Sequence, residues 1–193
     1  MLDKKDFENM RKEYHDFDER REKLIKTSRD LLKLSKQIIY AVHRQDMKSA
    51  KTSVAKINAV LGALKKIIKN NPGLETVGAY RTAVGEYVEA LLYYHFIKDN
   101  KIPTHKQLKV KTEHYLLGLC DLTGEFVRKA VYLAGKGKYD YVVKIKDCID
   151  DIYGELIKFN IRNGDLRRKF DSIKYDLKKL EDLVLQLKLK GAR

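Results

Sequence analysis

The first forty residues carry apolar side chains at alternating steps of three and four, the spacing of one face of an α-helix. The members of this series are Phe7, Met10, Tyr14, Phe17, Leu24, Leu31, Ile38 and Val42. The pattern predicts a single helix from about Asp3 to Arg44. At 1.5 Å per residue such a helix is about 60 Å long, which is longer than a small domain is wide. We therefore expect part of its apolar face to pack against another subunit.

The rest of the chain divides into further helices at proline, glycine and asparagine breaks. The predicted ranges are 46–70, 77–98, 112–134, 139–159 and 165–190. Asp46 is a candidate N-cap for the second helix, and Thr104 is a candidate cap for a short helical turn before the fourth. Asn71, Pro72 and Gly73 form a clear stop signal after the second helix.

The last predicted helix has the most regular heptad pattern of the chain. Its apolar positions are Leu166, Phe170, Ile173, Leu177, Leu180, Val184 and Leu187. Three heptads indicate a packing seam, either within a bundle or between subunits. With only two prolines in 193 residues and 44% apolar residues, the sequence predicts an all-α fold. We expect one domain over residues 1–193, a bundle of about six to seven helices.

Two of the predicted helices carry carboxylates in otherwise apolar stretches. The third helix holds Glu86 and Glu89 in GEYVEALLYY, and the fourth holds Asp121 and Glu125 in YLLGLCDLTGEFV. Spacings of three and four place each pair on one helical face. Carboxylates on a core-like helix are costly unless they are paired or bound to a cation. Because oxygen ligands suit Mg²⁺ and Mn²⁺, we expect the four acids to converge on Mg²⁺, with Mn²⁺ as the alternative ion.

The alternative is that these acids bind no metal and are exposed or paired with lysines, since ExxE is common on helices. Gly118 and Gly124 lie inside the fourth helix, where each costs about 1 kcal/mol relative to alanine. We expect each glycine to allow the close approach of a neighbouring helix or a ligand. His95 follows the first acid pair, and it either contacts phosphate, carries a proton or is merely packed.

The formal net charge of +14 favours a polyanionic partner, with nucleic acid ahead of an anionic membrane surface. Lys26, Arg29, Lys33 and Lys36 follow one another at helical spacing on the first helix, opposite its apolar face. This basic stripe is either a solvated face or a surface that contacts phosphates. Both readings remain open from the sequence.

Several classes of protein fit the sequence poorly. Cys120 and Cys148 form no CxxC pair and fall within apolar helical patterns, so buried thiols are expected rather than a zinc site or a disulfide. The sequence contains no HExxH motif and no glycine-rich phosphate loop. It has no apolar stretch of about 18 residues and no apolar signal core at its start. We therefore expect a cytoplasmic protein without a membrane partner.

Four segments resemble the translin family. The segments are RREKLIKTSRDL (20–31), GEYVEALLYYHFI (85–97), YLLGLCDLTGEFVRKAV (115–131) and DLRRKFDSIKYDLKKLEDLVLQLKLKG (165–191). The second and third resemble the family's catalytic branch, the translin-associated factor X proteins, whereas translin itself lacks most of the acid quartet. The resemblance covers nearly the whole chain.

This resemblance implies a bundle of about seven helices that assembles into a hollow shell, commonly an octamer. It implies Mg²⁺-dependent endoribonuclease activity on single-stranded RNA inside that shell, with single-stranded DNA as another ligand. It also implies metal-ligating and catalytic roles for Glu86, Glu89, Asp121 and Glu125. Arg21 and Arg81 match positions that look RNA-facing in relatives. Short connections suggest a compact microbial version that works as a homo-oligomer, with a translin-like partner subunit as the alternative.

Other functions remain open beside the nuclease. One is a translin-like shell that binds RNA or single-stranded DNA without cutting it. Another is an all-α nucleotide pyrophosphohydrolase, which also uses helical carboxylates to bind Mg²⁺. A purely structural oligomer is the last, and it predicts no salt-dependent RNA affinity.

Overall fold

The computed structural model describes residues 2–69 and 71–191 of the chain. The described residues form seven α-helices, in agreement with the all-α prediction. They are α1 (Lys4–His43), α2 (Met47–Lys69), α3 (Gly78–Asp99), α4 (His105–Leu108), α5 (Thr112–Gly135), α6 (Tyr139–Ile157) and α7 (Asp165–Gly191). The predicted end of the second helix at Asn70 lies outside the described residues, as do Met1, Ala192 and Arg193 at the ends of the expected domain.

Side-chain caps account for several of the helix starts. The Asp3 side chain accepts from the backbone amides of Lys5 and Asp6 at the start of α1. Asp46 accepts from the Ser49 amide at 3.0 Å, as expected for the cap of α2. Before α4, the side chain of Thr104 and that of Gln107 satisfy each other's backbone amides in a capping box.

α1 has two halves with different surroundings. From Leu24 onward its apolar positions are buried, and this half packs on α2 and α3. The earlier apolar positions are exposed large side chains, namely Phe7, Met10, Tyr14 and Phe17. Within the described chain nothing covers this face, which is what the sequence predicts for a helix that contacts another subunit.

α3 lies at the centre of the bundle. It packs against α1 on one side and α5 on the other, while α5 also contacts α6 and α7. Because α3 has neighbours on two sides, buried residues surround almost its whole circumference between Ala83 and Tyr94. The heptad of α7 is confirmed as a packing seam, with Phe170, Ile173 and Leu180 buried against the rest of the bundle.

α3 and α5 approach most tightly at a glycine. A Cβ atom placed on Gly118 would lie 2.6 Å from the carbonyl oxygen of Gly85 and 2.6 Å from the Cβ of Val88. The expected close helix approach is therefore confirmed at Gly118. At Gly124 no neighbouring helix of the described chain comes within 4 Å of an added Cβ atom, so the expectation of a close helix is wrong there and that of a ligand stays a prediction.

Two smaller expectations concern the thiols and the membrane. Cys120 is buried and Cys148 half-buried, both as free thiols. Burial raises the pKa of the Cys120 thiol to about 12 and that of Cys148 to about 11, so both are unreactive at neutral pH. Among the described helices, none combines the length and the apolar character that a bilayer crossing requires.

Candidate functional site

The four predicted acids lie on the facing sides of α3 and α5, beside the tight contact at Gly118. Glu89 is buried, with 8% of its surface exposed, and Glu86, Asp121 and Glu125 are half-buried. Asp121 and Glu125 of α5 both contribute to the raised pKa values of Glu86 and Glu89 on α3, after the larger effect of burial. The structure thus brings together the two pairs that the sequence singled out.

The charge balance of this cluster is unfavourable as it stands. Burial, followed by repulsion from Asp121, Glu86 and Glu125, raises the pKa of Glu89 to about 8. Burial also raises the pKa of Glu86, and the Asp121 carboxylate adds to that effect, although Lys36 opposes it. Neither Glu86 nor Glu89 forms an ion pair with another described residue. Crowded carboxylates of this kind take up a cation readily, and four oxygen donors are the chemistry that Mg²⁺ or Mn²⁺ prefers.

The other two acids have protein partners. The Lys169 amine of α7 donates to both carboxylate oxygens of Asp121. Glu125 pairs with His43 and, at 3.9 Å, with Arg128. The lysine-paired alternative therefore holds for Asp121. In the part of the chain that the structure describes, no group of three His, Cys, Asp or Glu side chains is arranged to hold a metal ion, so metal binding requires the Lys169 side chain to move away from Asp121.

His43 links the cluster to the core. Its Nε2 contacts Glu125, and its Nδ1 lies 3.1 Å from the hydroxyl of Tyr93. Because a carboxylate only accepts, Nε2 carries a hydrogen, and in the neutral ring the Tyr93 hydroxyl donates to Nδ1. Burial and the nearby Glu125 charge raise the pKa of Tyr93, which keeps its proton in place. This relay fixes the orientation of the Glu125 side chain.

A cleft of about 780 Å³ opens between α1 and the acids, and we call it the α1 cleft. Its charged lining residues are Arg29, Lys33, Lys36, Arg128, Glu86, Glu89 and Glu125. Three residues of the predicted basic stripe thus face the same space as three of the four acids. Cations beside a carboxylate cluster are what a phosphate backbone needs if it is to approach the acids.

A second cleft of about 210 Å³ lies on the other side of Glu86, and we call it the α7 cleft. Its charged lining residues are Arg81, Glu86, Asp121, Asp165, Arg168 and Lys169. Arg81 donates to Glu113 at 2.6 Å at its rim. Because Glu86 borders both clefts, the acid cluster lies between the α1 cleft, where cations outnumber acids by four to three, and the α7 cleft, where three cations face three acids.

Three residues that the sequence pointed to lie away from the clefts. Arg21 is paired with Asp18 and Glu22 of its own helix, and Lys26 is exposed on α1 one turn before Arg29. Neither lines the α1 cleft or the α7 cleft. His95 pairs with Asp99 at 3.6 Å and lines a different cavity, so it is not part of the acid cluster.

The structure adds residues that the sequence did not place in the site. His43 follows Arg29, Lys33 and Lys36 in the same alternation of four and three, with Tyr40 between, and that spacing was a signal for its position. Lys169 gave no such signal, because its contact with Asp121 depends on how α7 packs against α5.

Comparisons with solved structures identify the fold. The chain aligns with the crystal structure of apo-NeC3PO at a TM-score of 0.87 and 32% identity, over 97% of this chain and 98% of that one. It aligns with AfC3PO in a complex with duplex RNA at a TM-score of 0.87 and 21% identity, over 95% and 97% of the two chains. The second likeness, at its low identity, concerns the fold alone.

Comparisons of sequence agree with this result. An uncharacterised protein of Methanocaldococcus jannaschii is 32% identical over 78% of this chain and 68% of its own length. Translin-associated protein X of Rattus norvegicus is 27% identical over 96% of this chain and 78% of its own length. Residues 19–191 match the sequence model of the Translin family. The chain belongs to the translin family.

Proposed function

We propose that this protein is a Mg²⁺-dependent endoribonuclease that cuts single-stranded RNA within a hollow homo-oligomeric shell. The observation that carries the proposal is the convergence of Glu86, Glu89, Asp121 and Glu125 between two clefts that both carry cationic side chains. Phosphodiester cleavage needs cations that hold the strand and a centre that stabilises charge on the phosphoryl oxygens. The cluster and its clefts offer both sets of groups side by side.

The family relationships support the same proposal. Translin-associated protein X sequences align along most of this chain, and the structure of AfC3PO has been solved as a complex with duplex RNA. The exposed aromatic face at the start of α1 supports assembly with further copies. A homo-oligomer, with the octamer as its expected size, is therefore part of the proposal, and single-stranded DNA is a second ligand class.

The four acids would hold the metal ion. When bound, Mg²⁺ or Mn²⁺ supplies an acidified water and neutralises charge on the scissile phosphate. Arg29, Lys33 and Lys36 bind the phosphates on the α1 side, and Arg81 and Arg168 bind those on the α7 side.

His43 is a positioning residue in this scheme. It holds Glu125 through Nε2, while Tyr93 holds the imidazole ring through Nδ1. Such supporting contacts orient a carboxylate before a ligand arrives, which lowers the cost of binding. Lys169 keeps Asp121 neutralised until the cluster is occupied.

Asp121→Asn tests the proposal. We expect cleavage of a fluorescent single-stranded RNA with Mg²⁺ to fall by more than about 100-fold, while RNA affinity measured in EDTA changes little. Asp151→Asn, an exposed acid of α6, is the matched control and should cleave normally. Full cleavage by a clean Asp121→Asn preparation would overturn the assignment of the metal site.

A shell that binds RNA without cutting it is the second candidate. The ion pair between Asp121 and Lys169 favours it, because a permanently neutralised acid does not ligate a metal. In that case the wild-type protein binds RNA with a steep salt dependence, yet Mg²⁺ and EDTA give the same uncut substrate.

A further inference from the structure

A third cleft, which shares no lining residue with the α1 cleft or the α7 cleft, opens where α2 faces the segment that leads into α5. Its volume is about 410 Å³, within the range of about 300–1,000 Å³ that is usual for small-ligand sites. We call it the lysine cleft. Its charged and polar lining residues are Lys65, Lys69, Glu75, Lys109, Lys111 and His114.

The lysine cleft has an excess of positive charge. Lys111 pairs with Glu75, the one acid in the lining. The Lys65 amine donates to the backbone carbonyl of Lys109, and burial, followed by the Lys109 charge, lowers the pKa of Lys65. Lys69 and Lys109 form no ion pair with any residue that the structure describes. With Lys111 paired, the ammonium groups of Lys65, Lys69 and Lys109 leave an excess of positive charge that a bound anion would neutralise.

His114 provides an independent sign of a ligand. It is 5% exposed, lines the lysine cleft and packs edge-on against Tyr80 at 5.5 Å between ring centroids. Its Nδ1 atom has no hydrogen-bond partner among the described residues. Burial lowers the pKa of His114, so the ring is neutral and one nitrogen is a donor. A buried polar atom without a partner is rare in a folded protein and is costly.

The start of α5 adds to the same surface. The N-cap residue of α5 is Lys111, and no side-chain hydrogen bond caps the first amides of the helix. The first turn of a helix presents free N–H groups and the positive end of the helix dipole, a combination that attracts anions. α5 is a long helix of 24 residues, so this effect is fully developed.

We propose that the lysine cleft is a second anion site, one that binds a phosphate group through Lys69, Lys109, Lys111 and His114. The ligand is either inorganic phosphate or the phosphate of a nucleotide, two sources with the same chemistry. The site is separate from the acid cluster and does not depend on the proposed nuclease activity.

The test is calorimetric titration of the full chain in EDTA with inorganic phosphate, with AMP and with adenosine. We expect saturable binding of phosphate or AMP and none of adenosine, because adenosine lacks the anion. Stronger binding of AMP than of phosphate identifies a nucleotide as the ligand, and equal binding identifies the phosphate alone. A lack of saturable binding up to about 10 mM, ten times a weak dissociation constant of 1 mM, would overturn the proposal.

Variants locate the binding. Lys69→Gln and Lys109→Asn should each weaken phosphate binding about tenfold, the effect of losing one charge-assisted hydrogen bond. Asn is chosen at position 109 because the backbone there has a φ of 55°, which Asn tolerates well. Lys56→Gln, on the exposed side of α2, removes the same charge outside the cleft and should change binding by less than about twofold. Equal losses in all three variants would show general charge attraction and overturn the site.

RNA cleavage keeps the two proposals apart. Asp121→Asn should lose cleavage and keep phosphate binding, whereas Lys69→Gln and Lys109→Asn should do the reverse. Loss of phosphate binding in Asp121→Asn would place the anion at the acid cluster and overturn the separate site.

Discussion

Glu89 shows how burial and neighbouring charges act together on one side chain. It has the least exposed surface of the four acids, and its pKa of about 8 means that it holds a proton at neutral pH in the absence of a cation. The carboxylate form is disfavoured first by loss of water and then by three other acids. Such a residue costs stability, which is common where side chains serve function.

The first residue-scale prediction concerns Glu89→Gln. Gln keeps the shape of the protonated acid and removes the cost of protonating the buried carboxylate, so in EDTA the free energy of unfolding should stay the same or rise. RNA cleavage should be lost. Denaturant unfolding and the cleavage assay measure the two effects, with Glu13→Gln on the exposed face of α1 as the control. A loss of more than about 1 kcal/mol in EDTA would mean that a protein cation already stabilises the Glu89 charge.

His114 gives a pH-dependent prediction at the same scale. Its folded pKa lies below the ordinary value of 6.5 because of burial. As the pH falls below about 6.5, the unfolded chain therefore takes up a proton that the folded chain does not, and the free energy of unfolding decreases. The stability is fully present above that pH.

Comparison with His114→Gln isolates this contribution. The difference between the two proteins should change with pH by up to about 1.4 kcal/mol per unit below pH 6.5, and should be constant above it. Urea unfolding in phosphate-free buffer at several pH values measures it. Parallel stability curves down to pH 5 would contradict the prediction.

Single residues also show the limits of sequence reasoning. The acid quartet could be found because carboxylates in apolar helical stretches are conspicuous. The partner of Asp121 could not, because Lys169 lies 48 positions away and looks like any other lysine of a basic helix. Its role depends on the register of α5 against α7, which no local pattern encodes.

At the scale of elements, the pair α3 and α5 determines the site. Gly118 lets the two helices approach, and the acids of both helices lie within two turns of that contact. Gly124 has no such role, since an added Cβ atom there would face open space in the described chain. Two glycines inside the same helix therefore have different structural roles, which their packing distinguishes.

Alanine substitutions at Gly118 and Gly124 should therefore have opposite effects on stability. Gly118→Ala should lower the free energy of unfolding by about 1–3 kcal/mol, because its new methyl group meets backbone and Cβ atoms that cannot move easily. It should also reduce RNA cleavage, since it separates the acids of α3 and α5. Gly124→Ala should raise stability by about 0.5–1 kcal/mol through better helix propensity. Thermal and urea unfolding measure both, and equal effects would contradict the role of the contact.

Helix boundaries themselves were largely predictable. The breaks at residues 71–73, at Pro103 and at Gly137 fall between the observed helices, because proline and glycine act locally. At the 3₁₀-helix Pro72–Thr76 the sequence indicates only the end of the preceding helix, because so short an element has no periodic pattern.

At the scale of the whole molecule, the exposed half of α1 points to assembly. Phe7 is 44% exposed and Tyr14 is 74% exposed, on a face where the same helix is fully buried further along. Large apolar side chains repeated along one helical face are a common feature of subunit contacts.

Phe7→Ser with Tyr14→Ser should therefore weaken self-association. Size-exclusion chromatography with light scattering should show a smaller species, at a concentration where the wild-type protein is assembled. The control Glu8→Ser with Glu13→Ser alters two exposed polar residues of the same segment and should leave the mass unchanged. An unchanged mass in the apolar double variant would place the subunit contact elsewhere.

One unbroken helix of 40 residues carries both this aromatic face and, further along, Arg29, Lys33 and Lys36 beside the acids. Because the helix is continuous, the subunit contacts of its first turns also affect the orientation of its last turns. Under the proposed function, faulty contacts between copies would then weaken the binding of phosphates by Arg29, Lys33 and Lys36 without any change in the four acids. In this architecture the proposed assembly and the proposed site therefore depend on the same helix.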